Sequence, residues 1–214
     1  MIIGLLGFAG SGKGTVADIL VSKGFKKESF ADPVKDTVSI MFGWPRNLLE
    51  GDTKESREFR ETKDEFWSKR FGYDVTPRYM LQLMGTEAGR KTFHTDLWIH
   101  SLEKRMEYNE HTVVADVRFA NECDFIRSKG GFIVRVVRGK EPKWYDAALN
   151  TNLRGSNEMM ENYSNVHYSE WAWIGQSLNY LLDNNGSVMM LEASVKHMLK
   201  VFGGCDIMNT QLAS

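Results

Sequence analysis

The sequence predicts an α/β fold, a parallel sheet between helices in a three-layer α/β/α arrangement. Three observations predict it. The short apolar run Ile2–Leu6 ends in glycines, as does a strand buried on both faces of a parallel sheet. Strand-like and helix-like stretches then alternate along the chain. Two of the apolar runs end at charged residues, Asp116 and Arg138, where ligands gather in parallel sheets.

Each element follows in order. Residues 15–21 continue as a helix, with Val16, Ala17, Ile19 and Leu20 on its apolar face and Gly24 closing it. Residues 25–30 form a second strand, and Asp32-Pro33 opens a helix, since proline is tolerated in a first turn. The stretch 44–77 is charged and aromatic with weak periodicity, and reads as a mobile insertion with some helix. From Pro77 the pattern sharpens into a helix running toward Arg90, and 96–108 into a further amphipathic helix. Residues 111–117 make a strand, 119–129 a helix ending at Gly130-Gly131, and Phe132–Val137 another strand. The polar segment 139–168, rich in Asn, Gly and Ser, reads as a flexible loop. A last strand at 180–182, turn chemistry at 184–186 and a helix capped by Ser187 and ending near 202 complete the chain.

Composition narrows the function. The chain has 214 residues, enough for one domain with insertions over 1–202, followed by a tail at 203–214. With 42% hydrophobic and 26% charged residues it is neither disordered nor fibrous. Lys+Arg total 27 and Asp+Glu 28, so 27 − 28 = −1, and a generic nucleic-acid binder is disfavoured. Cys123 and Cys205 lie far apart without CxxC spacing, which suits a reducing, cytoplasmic compartment. No run approaches the ~20 apolar residues of a membrane helix. The N-terminus lacks the basic start of a signal peptide. The five histidines show no zinc-ligand spacing.

The sharpest motif is Gly7-Phe8-Ala9-Gly10-Ser11-Gly12-Lys13-Gly14-Thr15, which fits G-x-x-x-x-G-K-x-T between a strand and a helix. Backbone N–H groups of such a loop turn inward around phosphate oxygens, and the helix N-terminus adds positive potential. Gly10, Ser11, Gly12, Lys13, Gly14 and Thr15 are therefore the expected phosphate-binding residues, which the resemblance given below implies hold ATP, with Lys13 reaching the β- and γ-phosphates. Gly14 stands where the common form has Ser or Thr, so a direct Thr15–magnesium bond is in doubt. The GKGT ending resembles nucleoside monophosphate kinases of the adenylate kinase type.

Two further groups gather by sequence. Asp116 ends a strand and could hold Mg²⁺ through water, Arg118 could grip a phosphate with paired N–H bonds, and Asn121 and Glu122 follow at helical spacing. A salt-bridge cluster at a helix start is the alternative role for them. Lys35 follows the second strand, Arg78 opens the helix RYMLQLMGTE, and Gly85 within it suggests a close backbone approach. Trp98 could meet a base or fill the core.

PRYMLQLMGTEAGRKTFHTDLWI, followed by VVADVRFANECDFIRSKGGFIVRVVR, resembles bacteriophage-type deoxynucleoside monophosphate kinases. The H-Y-S-E at 167–170 and the LLDNNGS turn also suit that family. The resemblance implies an adenylate-kinase-like P-loop fold, with 44–77 as the monophosphate-binding insertion and 139–168 as a lid-like segment. It implies ATP and Mg²⁺ as cofactors, with Thr15 and Asp116 toward the metal. Lys35, Arg78, Gly85, Trp98, Asp116, Arg118, Asn121 and Glu122 would surround the monophosphate, and the lid arginines Arg138 and Arg154 would reach the transferring phosphoryl group, Arg138 also touching ATP. The expected partners are small nucleotides, with neither nucleic acid nor membrane; a homodimer is open, and a phage-encoded chain would work in the host cytoplasm. Another small-molecule kinase of the same fold, acting on dephospho-coenzyme A or a ribonucleotide, is the alternative. A nucleotide-dependent switch is less favoured, because no guanine-reading N-K-x-D motif is present.

Overall fold

The computed structural model describes residues 1–106 and 110–203. Tyr108, Cys205 and all of the expected tail except Gly203 lie outside the described residues. The chain forms two compact units, Met1–Ser29 with Met106–Ser214, and Phe30–Arg105. The expected insertion 44–77 therefore belongs to a compact unit wider than itself.

The first unit carries the sheet. Its strands are β1 (Ile2–Leu6), β2 (Lys26–Glu28), β3 (Thr112–Val114), β4 (Phe132–Val137) and β5 (Tyr180–Asp183). They pair in the order β2-β3-β1-β4-β5, every pair parallel, with Ile3 beside both Val113 and Phe132. Its helices are α1 (Lys13–Val21) and, after the five α-helices of the second unit, α7 (Ala120–Ser128), α8 (Tyr145–Arg154), α9 (Glu158–Asn162) and α10 (Val188–Val201).

Strand alternation explains the layering. Ile3, Leu5, Val113, Val134, Val136 and Leu182 share one face, where Val16, Ala17 and Leu20 of α1 and Leu191, Val195 and Met198 of α10 close a single core. On the other face Ile126 of α7 lies over Gly4. Both faces are thus covered, which all-parallel strands require. Ser187 caps α10 as expected, accepting from the Met190 N–H at 3.3 Å.

The segment 139–168 is not the irregular loop that its composition predicts. It folds into α8 and α9, separated by Gly155 at φ 69°. Its asparagines serve tertiary structure: Asn152 Nδ2 donates to the carbonyls of Trp171 at 2.9 Å and Ile174 at 2.8 Å.

The second unit is helical: α2 (Asp32–Phe42), a 3₁₀ turn at Arg46–Leu49, α3 (Lys54–Glu61), α4 (Glu65–Phe71), α5 (Pro77–Gln82), a π-helical stretch Leu83–Phe93 and α6 (Leu97–Arg105). Val38, Trp44, Leu49, Val75 and Met80 form its core. Thr53, Asp64 and Thr76 cap α3, α4 and α5 by accepting from backbone N–H groups. The helix expected to run to Arg90 widens after Gln82 into the π form, a change frequent at functional sites.

Candidate active site

In the first unit β1 runs into the glycine loop, and the loop opens α1 with a Val16 N–H to Gly12 carbonyl bond of 3.0 Å. Gly12 has φ 97°, and a Cβ there would lie 2.1 Å from Asn184 Nδ2, so both conformation and space require glycine. Lys13 Nζ donates to the loop's own carbonyls, Gly7 at 2.6 Å and Phe8 at 2.9 Å. Burial pushes this ammonium down to about 8, and Arg118 pushes the same way; Glu170 and Asp116 pull it back up. Those four charges therefore form one electrostatic cluster. Gly14 and Thr15 are exposed on the first turn, and the Ser11 hydroxyl is buried without a hydrogen-bond partner among the described residues.

Asp116 lies just past β3, where its Oδ2 accepts from Ser29 Oγ at 2.8 Å. Arg118 Nη1 donates to Glu170 Oε1 at 3.0 Å. Asn121 is half-buried on the first turn of α7. The buried carboxylate of Glu122 accepts from the Arg118 N–H at 2.6 Å and the Phe119 N–H at 3.0 Å. It ties down the start of α7 through the N–H of the N-cap residue Phe119 and that of the residue before it. Arg138 is exposed immediately after β4, and Arg154 is exposed at the end of α8 rather than in an irregular segment.

Three residues of this unit carry contacts at the site although the sequence assigned them no role there. Glu170 pairs with Arg118 across 52 residues of chain. Asn184, read as turn chemistry, donates to the Ser11 carbonyl at 2.8 Å. Arg135, on β4, lies 5.0 Å from the centroid of the Tyr145 ring, 5.1 Å from that of Trp173 and 5.9 Å from that of the loop residue Phe8. The contacts of Glu170 and Asn184 cross 52 and 173 residues of chain, which no local pattern could show.

In the second unit Lys35 Nζ meets Glu50 Oε2 at 2.6 Å and Asp32 Oδ1 at 3.2 Å. Arg46, which the sequence reading passed over, joins the same knot through Asp32, Asp36 and Glu50. Arg78 Nη1 meets Glu61 Oε1 at 2.8 Å. These pairs are partly exposed, so each is worth about 1 kcal/mol or less and is readily exchanged for an anionic ligand.

Trp98 and Gly85 meet each other in this unit. Trp98 is buried, its Nε1 donating to the Gly85 carbonyl at 2.7 Å, so the ring fills the core and its N–H is spent. A Cβ at Gly89 would lie 2.3 Å from Trp98 Cζ2, whereas at Gly85 the nearest atom would be Val34 Cγ1 at 3.8 Å. His94, Asp96 and His100 bring ligand-type atoms within 4.8 Å of one another, a grouping that the spacing argument did not predict. His94 Nδ1 is already taken by the Asp96 N–H at 3.0 Å.

Cys123 is buried and its thiol is pushed up to about 12 by that burial, so it is inert at neutral pH. Among the described residues no helix is long and apolar enough to cross a membrane.

An all-parallel sheet, a phosphate loop and a cluster of basic and acidic groups beside Lys13 define a P-loop phosphotransferase. Comparison with known proteins sharpens this. A protein of Acanthamoeba polyphaga mimivirus named as a deoxynucleotide monophosphate kinase is 36% identical over 155 residues, covering 64% of this chain and 74% of its own. The deoxynucleoside-5'-monophosphate kinase of Escherichia phage T5 is 28% identical over 180 residues, covering 59% of this chain and 72% of its own. The chain belongs to the deoxynucleoside monophosphate kinase family. Among solved structures, TT1252 from Thermus thermophilus is 18% identical with TM-score 0.46, covering 94% of this chain and 97% of its own. The dephospho-CoA kinase of Campylobacter jejuni is 15% identical with TM-score 0.43, covering 94% and 96%. No protein-family model matches the chain.

Proposed function

We propose that the chain transfers the γ-phosphoryl group of ATP to a deoxynucleoside monophosphate, giving ADP and the deoxynucleoside diphosphate. The observation that carries this reading is the cluster of Lys13, Arg118, Asp116 and Glu170 around a phosphate loop, in a chain of this family.

Phosphoryl transfer asks a protein for positioning and charge neutralisation more than for covalent chemistry. An oxygen of the acceptor monophosphate attacks the γ-phosphorus, and the bond from that phosphorus to the β-bridging oxygen breaks. The loop amides and Lys13 hold the β- and γ-phosphates and take up charge on the leaving ADP. Lys13 exchanges the Gly7 and Phe8 carbonyls for phosphate oxygens. Arg118, released from Glu170, grips the acceptor phosphate. Lys35, Arg78 and Asn121 serve the acceptor, and Arg138 and Arg154 serve the transferring group.

Thr15 and Asp116 offer hard oxygen donors, the type Mg²⁺ takes, so the residues present fit that ion. Thr15 and Asp116 would hold the ion, which would supply neutralisation of charge on the nucleotide phosphates. The protein would act in nucleotide supply, on small nucleotides and in a host cytoplasm.

The test is a panel of dGMP, dTMP, dCMP and dAMP beside their ribonucleotide counterparts, each with ATP, scoring kcat/KM. At least one deoxynucleotide should surpass every ribonucleotide. If a ribonucleotide or dephospho-coenzyme A is the best acceptor, the substrate assignment fails while the phosphate loop keeps its role.

A further inference from the structure

The turn after β5 binds the phosphate loop from behind. Asn184 is buried, and its Nδ2 donates to the Ser11 carbonyl at 2.8 Å across 173 residues of chain. Its own backbone N–H donates to the Val137 carbonyl at 2.8 Å, which fixes where the carboxamide starts. The next residue, Asn185, accepts the Gly139 N–H on its Oδ1 at 2.7 Å. The carboxamide lies so close to Gly12 that a Cβ there would meet Nδ2 at 2.1 Å.

We propose that Asn184 is a positioning residue for the ATP phosphates. In a trans peptide the C=O of one residue and the N–H of the next point in opposite directions. Holding the Ser11 carbonyl on Asn184 therefore aims the Gly12 N–H away from Asn184, to the other side of the loop. It also keeps that carbonyl from turning toward the phosphates, which its partial negative charge would repel. The position needs a short, neutral donor. Aspartate would set a carboxylate against the Ser11 carbonyl, and alanine would leave that carbonyl unpaired. The inference rests on the reading of this loop as the ATP site.

The experiment measures ATP binding directly, without acceptor, on the full chain and on Asn184→Ala and Asn184→Asp, with thermal unfolding of each in the absence of nucleotide. The alanine variant should bind ATP about 10-fold more weakly and the aspartate variant more weakly still, while KM for the acceptor stays within about twofold. Unchanged ATP affinity in a folded variant overturns the proposal, and so does an equal loss for both substrates. A second measurement does not depend on a variant folding: by NMR, one Asn184 Nδ2 proton of the wild-type chain should be protected from solvent exchange. A freely exchanging carboxamide overturns it. Binding without acceptor keeps the two readings apart. A wild-type chain that binds no ATP would sink the loop assignment, whereas a wrong acceptor would leave this result untouched.

Discussion

Arg118 Nη1 lies 3.0 Å from Glu170 Oε1, and both residues act on Lys13 with opposite sign: Arg118 lowers the affinity of that ammonium for its proton and Glu170 raises it. The pair is partly exposed, at 40% and 21%, so its net worth is about 1 kcal/mol or less. A phosphate can therefore displace Glu170 from Arg118 at small cost.

Arg118→Ala should cost about 10-fold or more in KM for the monophosphate, the worth of a charge-assisted paired contact. ATP affinity should hold or improve slightly near pH 8, because removing Arg118 lets Lys13 keep its proton. Separate titrations of the two substrates check this. Equal weakening of both would move Arg118 out of the acceptor role.

Lys13 gives the chain an alkaline limb. Its ammonium titrates at about 8 in the folded, nucleotide-free protein against 10.5 ordinarily, and an ATP phosphate would raise that value. ATP affinity should then fall as pH rises past about 8. Stability runs the other way. Between about 8 and 10.5 the unfolded chain binds the proton more tightly than the folded one, so this group's destabilising effect, full below pH 8, is relieved as pH rises. Calorimetric titration from pH 6.5 to 9.5 should show the limb in wild type, and Lys13→Ala should abolish turnover without unfolding the chain. A flat affinity profile would contradict the assignment.

The parts legible in the sequence are those set by local chemistry. Phe132–Val137 is a strand at both predicted ends because all but Arg135 of its residues are apolar and β-favouring, with Gly130-Gly131 before it and Arg138-Gly139 after it. The phosphate loop is legible for the same reason: its glycines, lysine and flanking strand and helix are contiguous. The segment 139–168 misled because Asn, Gly and Ser favour turns locally. Asn152 instead bonds two distant carbonyls, and Gly155 only ends a helix. The caps Thr53, Asp64 and Thr76 were readable signals that the weak periodicity of 44–77 hid. Glu122 shows a different limit. Its spacing from Arg118 is right for a site, and only coordinates show that the carboxylate also caps backbone N–H groups.

Gly89→Ala and Gly85→Ala should separate the packing role from mere helix composition. At Gly89 a methyl group would enter the Trp98 ring, an overpacking worth about 1–3 kcal/mol. At Gly85 it finds Val34 at an ordinary 3.8 Å, and the change should be neutral or stabilising by up to about 1 kcal/mol. Chemical denaturation of both variants decides. Equal destabilisation would mean that Trp98 does not sit on Gly89 in solution.

Glu170→Gln tests the charge balance around Lys13 and gives a result that loss of packing would not. Glutamine preserves size and can still accept from Arg118, so the fold around the pair should persist. What disappears is the negative charge that raises the Lys13 value, while Arg118 continues to lower it. The alkaline limb of ATP affinity should therefore move to lower pH than in wild type, and affinity near pH 6.5, where Lys13 is charged in both proteins, should change little. The acceptor side should respond differently. With its carboxylate competitor neutralised, Arg118 is more readily exchanged onto a phosphate, so KM for the monophosphate should fall or stay level. ATP titrations at several pH values, with acceptor KM measured in parallel, read both effects from one preparation. If the limb stays where it is, or moves to higher pH, then Glu170 does not act on Lys13 through charge and its bond to Arg118 is only a surface ion pair.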